Sequence, residues 1–440
     1  MELRLRSPYD RDIARLAIPA LGTLVAEPLY VLADTAIVGR IGTQELAGVA
    51  LATAVLLSVH SLLIFLAYGT TGIISRLIGA DDEAAAARVA IQSLWLAALL
   101  GVMFSVFLWF TGGWFLRLLG GRGGALEFGQ LYLDISLIGL PFLLLALAAG
   151  GTFHGRQNTR TPLMIAVTAA LANLVIELVL VFGLGFGVGG SAASTVIAQV
   201  GAAAVFCWRV IGWAQSRGAS LAPVGAELVR LFVAGNPLML RTLALRGSFT
   251  LATAVAARIG EPELAAHQVG LQIWGTLALA LDAVAIAGQA LTGRFLGAGD
   301  GTRAKAAAQR MIEIDVALGV VAGAVILAAR PLIARVFTTD PEVIAAITAV
   351  LVWVAIAEPV NGYVFALDGV LIGAGDLRYL GRSMAVVALA FGAIVWVTLR
   401  FEPSLDRLWA ALSVFMVLRA VALWWRWRSD SWVVLGRSRA

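Results

Sequence analysis

Long apolar stretches recur along the whole chain and alternate with short segments rich in charged residues and glycine. A helix needs about 20 mostly apolar residues to cross a bilayer, and the stretches reach that length. The pattern therefore predicts an all-α polytopic membrane protein with twelve transmembrane helices. They cover residues 13–38, 46–74, 87–110, 128–150, 162–183, 191–213, 229–256, 265–292, 308–329, 344–369, 382–399 and 407–425.

Composition supports this class of protein and excludes others. Hydrophobic residues make up 60% of the chain and charged residues only 13%, a balance that soluble domains do not have. A single cysteine, Cys207, excludes a disulfide framework within one chain. The net charge of +5 is not carried by a basic face on any soluble element, so we expect no nucleic-acid partner.

Lysine and arginine concentrate at the two termini and in the loops that follow even-numbered spans. Cytoplasmic loops carry such an excess in helical membrane proteins. Because the number of spans is even, both termini should lie on that side. We therefore expect a multi-pass protein of a bacterial inner (plasma) membrane with both termini in the cytoplasm.

The chain repeats itself at an offset of 218 residues. RIGTQELA recurs as RIGEPELA and RLIGA as RFLGA, and single residues match over more than 130 positions. Examples are Pro19 with Pro237, Arg40 with Arg258, Pro141 with Pro359 and Gly155 with Gly373. Each half has six spans and enters the membrane from the same side. The halves should form two pseudo-symmetric six-helix lobes with a substrate path between them.

This repeat suggests four regions. They are a first lobe over 1–213 that holds the ion-coupling site, a cytoplasmic linker over 214–228, a second lobe over 229–425 and a basic cytoplasmic tail over 426–440. The tail carries several arginines and aromatic residues, and we interpret it as an anchor to lipid headgroups.

Two acids interrupt the first span. Glu27 and Asp34 are seven residues apart, which places them on one helix face with Tyr30 between them. A carboxylate in hydrocarbon costs at least ~2.5 kcal/mol, so such residues usually have a function. Pro19 and Pro28 lack the backbone N–H that a helix needs, and we predict that they act as hinges.

Further oxygen-bearing side chains lie in spans five and six. Asn173 and Glu177 are four residues apart and share a face, and Thr195 follows a glycine-rich turn. Two chemistries fit this set together with Asp34. A buried acid beside another acid can take up and release protons, and several hard oxygens can bind sodium. We favour protons, because Glu27 adds a third acid.

The repeat provides an internal control for these polar positions. At the offset of 218, Glu27, Asp34, Asn173 and Glu177 correspond to Leu245, Ala252, Phe391 and Val395. The scaffold residues recur in the second lobe, whereas these polar residues do not. They are therefore specific to the first lobe rather than required by the fold.

The second lobe has intramembrane charges of both signs. They are Arg241, Arg246, Asp282, Glu313, Asp315, Glu358 and Asp368. Opposite charges can pair, so part of this set can be purely structural. From it we select Asp282, Asp368 and Arg246 as candidates for the wall of the substrate cavity, together with Tyr30 and Tyr132 of the first lobe.

The remaining motifs give less evidence about function. The run GLGFGVGG lacks the Lys-Ser/Thr ending of a phosphate loop, so it predicts a tight turn. His60, His154 and His267 lack metal-ligand spacing, and we interpret them as packing or loop residues. The segments ADDEAAAAR and GDGTRAKAAAQR are predicted to cap helices at the membrane surface.

The order and spacing of five stretches resemble the multidrug and toxic compound extrusion (MATE) family in its DinF-like branch. These are EPLYVLADTAIVGRIGTQELAG, ANLVIELVLVFGLGFGVGGSAAST, ELAAHQVGLQIW, AIAGQALTGRFLGAGD and ALDGVLIGAGDLRY. The resemblance covers nearly the whole chain. It implies two six-helix lobes in a V around a central cavity, and export of lipophilic, often cationic compounds in exchange for protons or sodium.

The resemblance also implies roles for single residues. Asp34 matches the aspartate of the first helix, Thr195 a threonine of the sixth, and Pro19 the proline at which the first helix bends. Tyr30 and Tyr132 match tyrosines of the first and fourth helices. Asn173 and Glu177 match an Asn-x-x-x-Asp motif, in which glutamate here replaces aspartate, and some relatives have glutamine where Glu27 stands.

We therefore expect a secondary active antiporter, not an enzyme, that needs no cofactor besides H⁺ or Na⁺. Sodium, if used, would bind at Asp34, Asn173, Glu177 and Thr195. The expected partners are small lipophilic or cationic substrates and membrane lipids, and the protein is expected to act as a monomer. Two alternatives are a flippase for a lipid-linked precursor, which would need an arginine-rich cavity, and a non-transporting scaffold, which would need a sizeable extramembrane domain.

Overall fold

A computed structural model describes residues 7–398, 400 and 403–437 of the chain. Over these residues, twelve helices are long and apolar enough to cross a membrane, as predicted. They are α1 (Asp10–Gly39), α2 (Thr43–Gly79), α3 (Glu83–Leu118), α4 (Gly123–Gly155), α5 (Arg160–Gly183), α6 (Gly187–Ser216), α7 (Gly225–Ile259), α8 (Glu261–Gly297), α9 (Gly301–Phe337), α10 (Pro341–Gly373), α11 (Leu377–Thr398) and α12 (Leu405–Arg428).

Two helices begin at aspartates that occupy equivalent positions of the repeat and act as caps. Asp82 accepts a hydrogen bond from the backbone N–H of Ala85 at the start of α3 (3.1 Å). One repeat later, Asp300 accepts from Arg303 at the start of α9 (2.9 Å). Each cap satisfies one of the N–H groups that the first turn of a helix leaves without a partner. The two surface segments predicted to cap helices do so.

The helices deviate from regular geometry at two places. Helix α2 is interrupted at Ile64, and the last turn of α5, Val179–Gly183, is a π-helix. The glycine-rich run after it forms the predicted tight turn. Gly185 and Gly187 adopt φ values of +73° and +52°, which glycine tolerates because it has no Cβ.

The repeat seen in the sequence recurs as packing between helices. A Cβ added to Gly101 in α3 would collide with Pro141 in α4, and one added to Gly319 in α9 would collide with Pro359 in α10. The glycines that let α4 approach α2 have counterparts that let α10 approach α8. These contacts pair Gly151 with Ala67, Gly369 with Ala285, Gly155 with Thr71 and Gly373 with Gln289. One helix-packing scheme is therefore used twice.

The chain divides into two compact units. One consists of Met1–Ile18 and Asn236–Ala440, and the other of Pro19–Gly235. The division falls within α1 and within α7 rather than in the linker at 214–228. The proposed four-region division stays a prediction. Helix α12 extends to Arg428, into the predicted tail, and residues 1–6 and 438–440 lie outside the described part of the chain.

Candidate functional site

Asp34 lies in the C-terminal half of α1, and its side chain is buried, with 6% of the residue exposed. Its Oδ1 accepts a hydrogen bond from the hydroxyl of Ser191 in the first turns of α6, at 2.5 Å. Ser191 directly follows Gly189 and Gly190. Gly190 lies close to Leu180 and Phe186, so the start of α6 packs tightly against the end of α5. The glycine-rich turn thus brings a donor to Asp34.

Asn173 in α5 faces the same helix. Its amide nitrogen donates to the hydroxyls of Ser194 and Thr195, at 3.3 Å each. Asn173 and Thr195 are both buried, as is Tyr132 of α4, which lies beside Thr195 and within electrostatic range of Asp34. Four helices therefore contribute polar groups to one small region of the unit Pro19–Gly235.

Glu177 is the most enclosed member of the set. None of its surface is exposed, and neither carboxylate oxygen has a hydrogen-bond partner among the residues that the structure describes. It lies one helical turn beyond Asn173 and close enough to Asp34 and Ser191 to interact with both. The structure therefore brings Asp34, Asn173, Glu177 and Thr195 together, while their role in ion coupling stays a prediction. We call these four residues the carboxylate site.

Glu27 has a different environment from the carboxylate site. Its side chain is 46% exposed, and its Oε1 lies 3.5 Å from Nδ1 of His60 in α2. His60 was assigned to packing or a loop, and the structure gives it this acidic neighbour instead. Tyr30 is half-buried and lies close enough to interact electrostatically with both Glu27 and Asp34. It therefore lies between the partly exposed acid and the buried one.

The two prolines of α1 also differ. Pro28 is exposed, whereas Pro19 is half-buried and its carbonyl accepts a hydrogen bond from the hydroxyl of Thr23 at 3.1 Å. Helix α1 continues through both prolines without a break. Pro19 is also the first residue of its compact unit, while the helix before it belongs to the other.

The start of α1 is held by an ion pair. Both oxygens of Asp10 accept from Arg310 of α9, from Nε at 2.6 Å and from Nη2 at 3.0 Å. Arg310 also donates to Glu313 at 3.0 Å. This bidentate pairing fixes the first turn of the helix to the unit that contains α9. Glu313, grouped in the sequence with intramembrane charges that can pair, is paired.

Charges converge at another place in the unit that contains α7 to α12. Asp368 of α10 accepts hydrogen bonds on one oxygen, Oδ2, from Arg241 of α7 at 2.5 Å and from Arg419 of α12 at 2.7 Å. All three side chains are at least four-fifths buried. We call these three residues the arginine cluster. Arg419 was not among the intramembrane charges selected from the sequence, and it lies within α12.

The other charged residues selected in the second lobe have different surroundings. Arg246 is exposed on α7 and does not line the cleft at the arginine cluster. Asp282 of α8 is half-buried and within electrostatic range of the fully buried Asp315 of α9. Glu358 of α10 accepts from Asn361 at 3.1 Å. Of the three candidates Asp282, Asp368 and Arg246, Asp368 alone lines this cleft.

Comparison with known proteins identifies the chain. The MatE family model matches residues 19–179 and 237–398, so it matches twice, with starts 218 residues apart. The protein DETOXIFICATION 44 of Arabidopsis thaliana is 32% identical over 448 residues, which cover 96% of this chain and 84% of that one. The chain belongs to the MATE family. It is therefore a transporter rather than an enzyme.

Other MATE-family relatives and structures resemble the whole transporter. DNA damage-inducible protein F of Escherichia coli K12 is 30% identical over 96% of this chain and 94% of its own. A MOP superfamily transporter from Pyrococcus furiosus has a TM-score of 0.87 at 22% identity, over 97% of each chain. The Vibrio cholerae MATE transporter VcmN in its bent form also has a TM-score of 0.87, at 20% identity over 95% of this chain and 96% of its own. These structures share the fold of this transporter.

Sequence reasoning missed three residues of the transporter that the structure brings forward: Ser191, Ser194 and Arg419. A signal for the serines was present, because both follow the glycine-rich turn on the face that carries Thr195. Arg419 had a weaker signal, since it is a lone arginine in an apolar helix close to a basic tail. Only its partners show that it is buried.

Proposed function

We propose that this MATE transporter is a secondary active antiporter that exports lipophilic cations in exchange for protons, with Asp34 and Glu177 as the proton-loading pair. The observation that carries this proposal is the environment of Glu177. A carboxylate without exposure or a hydrogen-bond donor is unfavourable when ionised, and the nearby Asp34 adds repulsion. Uptake of one proton removes both penalties.

The neighbouring hydroxyls support a division of labour between the two acids. Ser191 donates to Asp34, and a hydrogen bond to the charged form stabilises that form. Glu177 accepts no hydrogen bond from the residues that the structure describes. We therefore assign the shared proton chiefly to Glu177 and the lasting negative charge to Asp34, although the two acids titrate as a coupled pair.

Helix α1 offers a route from proton binding to conformational change. Asp10 is fixed to Arg310 at one end of the helix, and Asp34 is fixed to Ser191 further along it. Pro19 lies between these anchors and lacks the N–H that would close the helix at that turn. Protonation of Glu177 would remove the repulsion between Glu177 and Asp34 and let the helix bend at Pro19. A ligand shifts a conformational equilibrium only through such a difference in affinity between two states.

The same oxygens could hold sodium instead of a proton. The available ligands would be both oxygens of Glu177, the second oxygen of Asp34 and the side-chain carbonyl of Asn173. The Thr195 hydroxyl would be a fifth and poorer ligand, because it already accepts a hydrogen bond from Asn173. These donor atoms do not discriminate between the two ions, since both would bind to the same acids. The transport experiment described next does.

The test measures efflux of a fluorescent lipophilic cation from cells and its uptake into everted vesicles, driven by either a pH gradient or a sodium gradient. We expect the Glu177→Gln and Asp34→Asn variants to lose pH-driven transport by about 5- to 150-fold, the range that coupling free energies cover. Glu83→Gln is the matched control, because Glu83 forms an exposed pair with Arg217. Full pH-driven transport by Glu177→Gln would contradict the proposal. If only a sodium gradient drives transport by the wild-type protein, the coupling ion is sodium rather than the proton.

A further inference from the structure

The segment that follows α12 folds back onto the protein. Trp432 has no exposed surface, and its ring stacks on that of Trp427 in α12, with ring centroids 5.0 Å apart and 16° between the ring planes. Its Nε1 donates to the backbone carbonyl of Trp427 at 3.2 Å. An enclosed tryptophan holds a short segment in place because it buries a large apolar surface. We call residues 429–437 the C-terminal strap.

The C-terminal strap contacts the place where α8 ends and α9 begins. The backbone N–H of Gly436 donates to the carbonyl of Leu296 in the last turn of α8, at 3.0 Å. Nζ of Lys305 in α9 donates to Asp430 of the strap at 2.6 Å. The strap therefore joins the end of α12 to the turn between α8 and α9.

The repeat supports this contact as a feature of the scaffold. In the first copy, Arg217 after α6 pairs with Glu83 in the first turn of α3, at 2.6 Å. At the offset of 218, these residues correspond to Leu435 and Gly301. They also lie against each other, because a Cβ added to Gly301 would be 3.4 Å from Cδ2 of Leu435. Both copies thus hold the segment after the sixth helix against the start of the third.

The start of α1 is attached to the same elements as the C-terminal strap. Tyr9, which directly precedes α1, packs edge to face on Phe295 in the last turn of α8, with ring centroids 6.0 Å apart. Asp10 pairs with Arg310 in the first three turns of α9. These residues belong to one compact unit, whereas α1 from Pro19 onward belongs to the other. We call the end of α8 and the first three turns of α9 the platform of α1.

We propose that the C-terminal strap, held by Trp432, fixes this platform and thereby positions the start of α1 for the ion-driven bend at Pro19. The inference rests on the proposed function, in which proton binding lets α1 bend there. A bend redirects the rest of a helix only if the segment before it stays in place. A platform that yields would absorb the movement, so proton binding would be coupled less tightly to cation export. Trp432 is a positioning residue in this scheme, because it acts through α1.

The contacts of the C-terminal strap differ in weight. The side chains of Lys305 and Asp430 are 43% and 59% exposed, and exposed ion pairs contribute little. Trp432 is fully enclosed, so its truncation removes most of the apolar surface that holds the strap. We therefore expect Trp432→Ala to release the strap and Asp430→Asn to leave it attached.

Attachment of the strap is tested with a disulfide in the full-length protein. The only cysteine is first removed by Cys207→Ser, and Gly301→Cys is then combined with Val433→Cys. A Cβ at position 301 would lie 3.1 Å from Cγ1 of Val433, which suits the Cβ separation of ~3.5–4.5 Å in disulfides. We expect copper phenanthroline to cross-link this pair and to protect it from maleimide labelling. A tail that anchors to lipid headgroups instead predicts no cross-link, and that result overturns the proposal.

The positioning role is tested by the amount of fluorescent cation that everted vesicles take up per proton released from their lumen. We expect Trp432→Ala to lower this ratio about fivefold, the lower end of the range that coupling free energies cover. A merely structural role would reduce the number of active molecules, so both fluxes would fall together at an unchanged ratio. An unchanged ratio in Trp432→Ala therefore overturns the proposal.

The disulfide also provides a rescue experiment. In a variant that carries Trp432→Ala together with Gly301→Cys and Val433→Cys, oxidation should restore the ratio and reduction should lower it again. A cross-link that forms without restoring the ratio overturns the proposal. Should Trp432→Ala fail to fold, Gly436→Pro releases the strap at its other end. Proline lacks the N–H that donates to Leu296 and cannot adopt the φ of +91° found at Gly436.

Arg426→Gln is the matched control. Arg426 lies at the same end of α12 and pairs with Asp376 at 2.5 Å, in the turn between α10 and α11 rather than at the platform of α1. Its ratio of cation to proton should equal that of the wild type. A loss as large as that of Trp432→Ala overturns the proposal, because any disturbance at this end of α12 would then suffice.

Failure of this inference and failure of the proposed antiport give different results. A wild-type protein that moves cations under neither a pH nor a sodium gradient overturns the antiport, and with it the positioning role, while the cross-link still reports whether the strap is attached. Tightly coupled wild-type transport with the same ratio in Trp432→Ala overturns the positioning role alone.

Discussion

The carboxylate site and the arginine cluster are built on two copies of one helix scaffold, yet their electrostatics are opposite. In the first, Asp34 and Glu177 are two buried acids whose described neighbours are hydroxyl and amide groups. In the second, one acid is held by two arginines. The comparison teaches that the same glycine and proline positions support the packing of both lobes, while a few polar substitutions give each lobe its own buried charges.

The two sites should also respond differently when an acid is removed. Asp368→Ala leaves two buried guanidinium groups without their shared partner, and breaking a buried ion pair costs ~3–5 kcal/mol. Glu177→Ala removes a carboxyl that accepts no hydrogen bond from the described residues, so only its packing is lost. We expect a large fall in the thermal midpoint for the first variant and a much smaller one for the second.

Tryptophan fluorescence of the purified protein on heating would measure both midpoints under one set of conditions. Asp376→Ala provides the control for an aspartate–arginine pair outside the cleft. Equal destabilisation by Asp368→Ala and Glu177→Ala would mean that the two sites do not differ in the way described.

A second way to sharpen the comparison is to remove the donor in the carboxylate site. Ser191→Ala deletes the hydrogen bond to Asp34, and bonds to charged groups are worth ~1.5–3 kcal/mol. Loss of this donor disfavours the ionised pair, so we expect the pH dependence of cation efflux to move to higher pH. Efflux from everted vesicles over a pH series measures the shift, and Ser58→Ala, on an exposed site, is the control.

The smallest effect is expected at Glu27. The side chain of this acid is 46% exposed and lies 3.5 Å from His60, so Glu27 does not share the enclosed environment of Glu177. Glu27→Gln should therefore leave pH-driven efflux nearly intact, in contrast to Glu177→Gln in the same assay. A loss as large as that of Glu177→Gln would place Glu27 in the proton pathway and enlarge the carboxylate site to three acids.

Much of the fold could be predicted from the sequence for simple physical reasons. A backbone in hydrocarbon must satisfy its own hydrogen bonds, so twelve apolar stretches of sufficient length become twelve helices. The helix ends also followed from local signals, such as Asp82 and Asp300 as caps. The offset of 218 residues, visible in RIGTQELA and RIGEPELA, predicted a repeated scaffold, and the packing of Gly101 and Gly319 against prolines reproduces it.

The candidate site was predictable only in part. Asp34, Asn173 and Glu177 could be selected because each is polar in an apolar span and is replaced by an apolar residue in the other half, and Thr195 because it follows the glycine-rich turn. Spacing along one helix shows which residues share a face, but it does not show what another helix presents to that face. The partners Ser191 and Ser194, and the separation of Glu27 from the carboxylate site, therefore escaped prediction.

What the sequence alone determined is the number of helices, their duplication and the residues that break the apolar pattern, because each of these is a property of neighbouring positions in the chain. The tertiary structure decided which of those polar residues meet. It placed Glu177 beside Asp34 with no hydrogen-bond donor among the described residues, and it joined Arg241 and Arg419, which are 127 and 51 residues away along the chain, at one oxygen of Asp368. Contacts across such distances depend on how helices pack, and no local pattern encodes them.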